Sequence, residues 1–113
     1  MLGGECYCGA IRYEADAKPA QEVACHCSIC RRTSASAFVA WLTVPTQSFR
    51  FVSGKPTSFK SSSTRTPGEI DVTTCSLEDP EQVPPKDHIF VSSRLSWVKL
   101  ADGLPAYPAS KSG

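Results

Sequence analysis

At 113 residues, the chain has room for one domain with a modest core and not for two, so a single domain over residues 1–113 is expected. A hydrophobic fraction of 41% and a charged fraction of 20% argue against disorder, and a net charge of +1 spread over scattered basic residues argues against nucleic-acid binding. No apolar run approaches the about 20 residues that span a bilayer and no signal segment is seen, so the expectation is a soluble, cytoplasmic protein without a membrane partner.

In chain order, the segment from Gly4 to Glu14 alternates over Ala10 to Glu14 and carries a glycine directly after Cys8, which predicts a turn feeding a strand. Ala17-Lys18-Pro19 marks a loop. Glu22-Val23-Ala24 then reads as a short strand leading into a cysteine cluster that is expected to be a tight, irregular turn. The β-branched and aromatic run Ala37 to Val44 has strand length and is halted by Pro45. Phe49 to Val52 and Thr57 to Lys60 read as two more strands, separated by the turn formers Ser53-Gly54-Lys55-Pro56. Glu69 to Thr74 and His88 to Val91 complete the set, with a proline- and charge-rich loop over Leu77 to Lys86 between them. The tail from Trp97 to Pro108 is expected to wrap the sheet as an extended segment. No segment sustains a helical period of apolar residues, so the fold class is predicted to be mainly β, built of short antiparallel strands.

Six cysteines in so short a chain would suit a secreted disulfide framework by number alone, but their spacing points to metal. Five lie in two tight clusters, Cys6-Tyr7-Cys8 and Cys25-His26-Cys27-Ser28-Ile29-Cys30, and Cys75 stands apart. Zinc takes thiolates at about 2.3 Å in a tetrahedron, and residues two or three apart in a turn can face one ion. Cys27 and Cys30 have that spacing, and Cys25 adds a third thiolate from the end of the preceding strand. Three ligands leave a fourth position open, which separates a catalytic zinc from a structural one. A closed four-cysteine site and a redox pair at Cys27 and Cys30 stand as alternatives, the second disfavoured because no βαβ pattern surrounds the motif. His26, between two ligands, is expected to point away from the metal, toward its supporting shell or toward solvent. Cys6 and Cys8 make half of a second site that needs a partner pair. Cys75 lies in a strand-like run and reads as a small buried hydrophobe. Arg31 and Arg32 can bind a substrate carboxylate bidentately beside the metal, or can be a solvated basic turn that also favours the thiolates.

Gly-Glu-Cys-Tyr-Cys-Gly-Ala-Ile-Arg-Tyr at 4–13 together with Cys-His-Cys-Ser-Ile-Cys-Arg-Arg at 25–32 resembles the glutathione-dependent formaldehyde-activating (GFA) enzyme family, which shares its domain with centromere protein V. The resemblance continues through Phe38 to Trp41, Glu69 to Val72, Pro80, His88-Ile89 and Trp97 to Tyr107. It implies a zinc-dependent β-tent fold with carbon-sulfur lyase activity, condensing glutathione with formaldehyde to S-(hydroxymethyl)glutathione. It also implies that Cys25, Cys27 and Cys30 hold the active-site zinc, while Cys6 and Cys8 join a later Cys-x-x-Cys-Gly motif around a structural zinc. That motif should precede the strand at Glu69, where this sequence has only Thr64 to Gly68. Either the segment is lost or the polypeptide contains residues that this sequence omits. Ala35 also stands where the family has glycine.

On this reading the zinc binds the thiol of glutathione, lowers its pKa and presents a thiolate to the carbonyl carbon of formaldehyde, with Arg31 or Arg32 orienting a carboxylate. The rivals are a related lyase acting on another thiol, a non-catalytic zinc module that is structural or presents an interaction surface, and a degraded family member weakened by loss of one metal.

Overall fold

The computed structural model describes residues 1–57 and 68–111. The strand predicted over Thr57 to Lys60 therefore falls, beyond Thr57, outside the described residues, as does the interval Thr64 to Pro67. Among the described residues the strands are β1 (Leu2–Glu5), β2 (Arg12–Ala15), β3 (Gln21–Cys25), β4 (Val39–Pro45), β5 (Phe49–Ser53), β6 (Glu69–Thr73) and β7 (Asp87–Ile89). One helix, α1 (Ser28–Ser34), joins β3 to β4. None of the described helices is long and apolar enough to cross a membrane.

The strands form two sheets, one ordered β1-β2-β5 and the other β6-β4-β3-β7. Every pairing is antiparallel except β3 with β7, which run parallel in the register Val23 to Asp87, Ala24 to His88 and Cys25 to Ile89. The expected short antiparallel strands are thus present, with parallel pairing added at β7. A parallel neighbour requires a long crossover, and here β4, β5 and β6 all intervene in the chain.

Period-two alternation gives the larger sheet two distinct faces. Leu42 and Val44 of β4 and Val72 of β6 point toward the smaller sheet and meet Tyr13 and Ala15 of β2 in the main core, closed below by Leu77 and Val83. Leu42 and Val44 have no exposed surface, so this contact carries the largest share of apolar burial. The other face carries Val23, Cys25 and Ile89, with Trp41 packed against them in a separate small cluster. Two faces of one sheet therefore do two jobs: one holds the fold together and the other presents cysteine.

The predicted tail behaves as expected over its last part. The His88 amide donates to Pro105 O and the Tyr107 amide to His88 O, each at 2.8 Å, so the tail runs along β7 as an added strand and covers an otherwise open edge. Trp97, by contrast, stays exposed.

Two local expectations are overturned. The segment before Cys6 is itself a strand, β1, paired with β2 in the register Leu2 to Ala15 through Glu5 to Arg12, so the first cysteine pair sits in a hairpin turn. Its Leu-Gly-Gly-Glu sequence has only one apolar residue and no β-branching, so propensity gave no sign of it. The second cluster is likewise no irregular turn, because Ser28–Ser34 is helical. That helix buries none of its residues and spans seven, too few for a helical apolar period to appear in the sequence.

Candidate metal centre

The residues that gather at the Cys25 cluster come from three adjoining pieces of chain. Cys25 closes β3 and is buried. Cys27 is the N-cap of α1, with extended backbone (φ −69°, ψ 154°), and its Sγ accepts from the Cys30 amide at 3.3 Å. The cap replaces the usual oxygen acceptor with sulfur, satisfies one of the amides a helix leaves free at its start, and turns the Cys30 side chain to the same side as Cys27. The motif works because a cap and its third helical residue are brought together by the first turn.

The three sulfurs lie within 4.8 Å of one another, the one such cluster of three His, Cys, Asp or Glu ligand atoms among the described residues. Cys25 Sγ and Cys30 Sγ are 3.5 Å apart, within hydrogen-bond reach of each other. Two thiolates on one tetrahedral ion at about 2.3 Å are separated by about 3.8 Å. The donor set therefore fits a metal ion that prefers sulfur in tetrahedral array, with little rearrangement. The contact also sets the two thiols apart. Cys30 is lowered to about 6, first by its bond to Cys25 and then by contacts with Cys27 and the Trp41 side chain, against the cost of burial. Cys25 is pushed up, because it keeps the proton for Cys30 and because it is buried.

A cavity of about 530 Å3 opens beside the sulfurs, a volume within the range of small-molecule sites. Its floor is the outer face of the larger sheet, where Val23, Trp41, Thr43 and Ile89 alternate outward, and α1 forms one wall through Ile29 and Thr33. At the side of β6 stands Asp71, directly opposite Thr43 in the ladder, with Thr43 Oγ1 donating to Asp71 Oδ1 at 2.6 Å. The cavity thus offers an apolar body, three thiols and one carboxylate acceptor. Sequence reasoning did not find Asp71 or Thr43. The only signal was the alternation Glu69, Asp71, Thr73 against Ile70 and Val72, which marks a polar face without saying that it borders the cysteines.

His26 points away from the sulfurs, as expected, but solvent is excluded from it: the residue is fully buried. Its Nε2 lies 3.0 Å from His88 Nδ1, and His88 Nε2 lies 2.7 Å from Asp102 Oδ2. The ring stacks on Phe38 with centroids 4.9 Å apart. Burial and the facing charges of His88 and Arg94 lower the His26 pKa, and the bond from His88 holds Asp102 below the ordinary carboxylate value. This chain of groups lies across the sheet from the cavity, because His88 and Ile89 are neighbours on β7 and so face opposite ways.

The arginines that follow Cys30 do not line the cavity. Arg31 donates to Ser93 O at 3.4 Å, and Arg32 is exposed on α1. The redox alternative is answered in part by topology. Cys27 and Cys30 do open a helix after a strand, but β3 and β4 are antiparallel neighbours, so no βαβ crossover is present, and a third sulfur completes the cluster.

Cys6 and Cys8 sit in the exposed turn between β1 and β2 with sulfurs 3.6 Å apart. The Cys8 amide and thiol hold the Cys6 pKa below the ordinary thiol value. Cys75 is not the buried hydrophobe expected of a strand. The ladder of β6 ends at Thr73, and Cys75 stands exposed in a single 3-10 turn, Thr74–Ser76, anchored by buried Thr74.

Comparison with known proteins agrees with this architecture. The profile of the glutathione-dependent formaldehyde-activating enzyme family matches residues 1–75. A crystal structure of a Rhodobacter sphaeroides protein, a structural-genomics target, is similar over 93% of this chain and 98% of that one, with a TM-score of 0.51 and 20% identity, a likeness of fold. No curated protein matches the chain.

Proposed function

The chain belongs to the glutathione-dependent formaldehyde-activating enzyme family, and from that membership we propose that it is a zinc-dependent carbon-sulfur lyase that joins the thiol of glutathione to formaldehyde. The observation that supports this reading best is the gathering of three cysteine sulfurs within 4.8 Å at the edge of a substrate-sized cavity. Cys25, Cys27 and Cys30 would hold the zinc, all through sulfur, and their number leaves one ligand position for a fourth donor. Zinc at such a site acts as a Lewis acid that lowers the pKa of a bound thiol.

The reaction adds S–H across C=O: a carbon-sulfur bond forms, the carbonyl π bond breaks, and the thiol proton ends on the new hydroxyl. No oxidant or reductant is consumed. The protein's task is therefore to hold the thiol as thiolate beside the small electrophile and to keep the rest of the substrate oriented. We assign the ammonium group of glutathione to Asp71, whose carboxylate is held in place by Thr43. Arg31 or Arg32, which follow Cys30 on α1 without lining the cavity, would have to reach over its edge to orient a glutathione carboxylate, and Arg31 already donates to Ser93 O. Trp41 and Ile89 supply apolar wall against the methylene portion.

Cys27→Ser is the direct test. It removes a ligand while the serine oxygen can still cap α1, so zinc at this site and the acceleration of adduct formation over the uncatalysed rate should be lost together without loss of the helix. Acceleration that persists in a metal-free Cys27→Ser protein contradicts the reading. Closed coordination of the unaltered zinc protein, with no ligand exchanged on adding a thiol, supports a non-catalytic module in its place.

A further inference from the structure

We propose that Cys6 and Cys8 form a redox-active dithiol that exchanges with small disulfides carrying an ammonium group, taken up in the cavity beside Cys6. The inference is independent of the chemistry assigned to the Cys25 cluster.

Both cysteines lie in the loop that follows β1, beyond the last ladder pair of Glu5 with Arg12. The Cys6 amide donates to Ile11 O at 3.0 Å and the Gly9 amide to Cys6 O at 2.8 Å, so Cys6 to Gly9 form one hydrogen-bonded turn. Gly9 closes it with φ 77°, a conformation that a side chain would strain. The turn sets the two sulfurs 3.6 Å apart, with the Cys8 thiol directed at Cys6 Sγ. Residues two apart keep their Cα atoms within the about 7 Å that a disulfide can span, so side-chain rotation is enough to close a bond of about 2.05 Å. Among the described residues no third His, Cys, Asp or Glu joins the pair at the spacing of a metal site, and both thiols are exposed. Each is therefore the other's nearest partner. A disulfide between them closes a small exposed ring, the kind that is readily reduced and serves exchange.

Cys6 lines an open cavity of about 700 Å3, and Cys8 does not. The cavity forms where β1 meets the 3-10 turn at Thr74–Ser76. An isolated antiparallel bridge joins Gly4 to Leu77 there, and a Cβ on buried Gly4 would collide with the Tyr13 phenol oxygen and Ser76 O. A small disulfide entering the cavity meets Cys6 first. Cys8 approaches Cys6 from outside the cavity, as in-line displacement requires when the leaving thiolate is held inside it. Glu5 and Glu78 line the cavity and no Lys or Arg among the described residues does, although Arg12 pairs with them from outside at 3.9 and 3.1 Å. The wall is thus net acidic, which favours an ammonium-bearing disulfide over an anionic one.

The exchange has two steps. The Cys6 thiolate attacks one substrate sulfur: a mixed disulfide forms on Cys6, the substrate S–S bond breaks, and one thiolate leaves. Cys8 then attacks Cys6 Sγ: the Cys6–Cys8 bond forms, the mixed disulfide breaks, and the second thiolate leaves. The protein dithiol loses two electrons, the substrate disulfide gains them, and the two thiol protons end on the two product thiols, directly or through water. Excess small thiol runs the same steps backwards and resets the pair.

The experiment uses the full chain, reduced with a phosphine that is then removed, loaded with one equivalent of zinc, mixed with cystamine, and quenched with a maleimide before tryptic mass mapping. Cys6 and Cys8 fall in the peptide that ends at Arg12, separate from those holding the Cys25 cluster and Cys75. That peptide should lose two hydrogens, with release of two cysteamine thiols per chain, about tenfold faster than Cys75 is modified. In Cys8→Ser protein cysteamine should stay on Cys6 as the mixed disulfide, and in Cys6→Ser protein modification of Cys8 should slow about tenfold. Dithiodiglycolate, an anionic disulfide, should oxidise the pair more slowly than cystamine once each rate is divided by that with free cysteine. A pair that stays reduced while Cys75 reacts, as it would if closed on zinc, overturns the proposal. So do a Cys6–Cys75 link, a Cys6→Ser chain whose Cys8 reacts at the unaltered rate, and equal normalised rates for the two disulfides.

Discussion

His26 illustrates how a residue between two candidate metal ligands can be structural. Its ring is buried, and its Nε2 has one partner, His88, which in turn is held by Asp102. Replacing His88 by Leu removes that partner and leaves a buried imidazole nitrogen unsatisfied, at a cost of about 1–3 kcal/mol. The expected result is a lower urea midpoint with an unchanged slope, while zinc still binds at the Cys25 cluster. Asp71 lines the cavity itself, opposite Thr43. If it receives the substrate ammonium, Asp71→Asn should raise KM for glutathione about tenfold, equivalent to about 1.4 kcal/mol, with kcat little changed. A thiol substrate lacking an ammonium group should be indifferent to the same substitution; equal losses for both substrates would remove Asp71 from recognition. The sequence named the three cysteines of this site because local spacing carried the signal. It could not name Asp71, Thr43, His88 or Asp102, because each is joined to its partners only by strand register or by contacts across the chain, such as the one between His88 and Asp102.

At the level of elements, strands were legible where β-branched and aromatic residues accumulate, as in β4, and illegible where they do not, as in β1. Helix α1 was hidden for a third reason: its start signal is a cysteine, and its stop signal is an alanine where the family has glycine. Ala35 closes the helix in the left-handed region (φ 55°, ψ 36°), with its amide and that of Ser36 directed at Arg31 O. A Cβ in that conformation costs about 1–2 kcal/mol, which glycine avoids. Ala35→Gly should therefore stabilise the protein by up to about 1 kcal/mol, after allowance for the greater freedom of glycine in the unfolded chain. Denaturant unfolding checks this, and a destabilised variant would mean that the Cβ of Ala35 makes a contact that outweighs the strain. At the core of the larger sheet, Leu42→Ala should cost about 2–5 kcal/mol, since the side chain has no exposed surface and its neighbours are fixed by two strands.

For the whole molecule, the central fact is the division of labour between the two faces of the β6-β4-β3-β7 sheet. One face packs on the β1-β2-β5 sheet and supplies the apolar core; the other places Cys25 beside Cys27 and Cys30 over a cavity. The mainly β class and the single domain were readable from strand-length runs and chain length. Which strands pair, and that β7 runs parallel to β3, were not, because pairing order is set by long-range packing rather than by local pattern. The claim that rests on this arrangement is a three-thiolate zinc centre with one exchangeable position. Its most direct test is X-ray absorption at the zinc edge of Cys6→Ser/Cys8→Ser protein, which keeps the Cys25 cluster as the only complete thiolate site, loaded with one equivalent of zinc. The account predicts three sulfur neighbours before glutathione is added and four after it. Four sulfurs at the outset, or three that glutathione leaves unchanged, would contradict it.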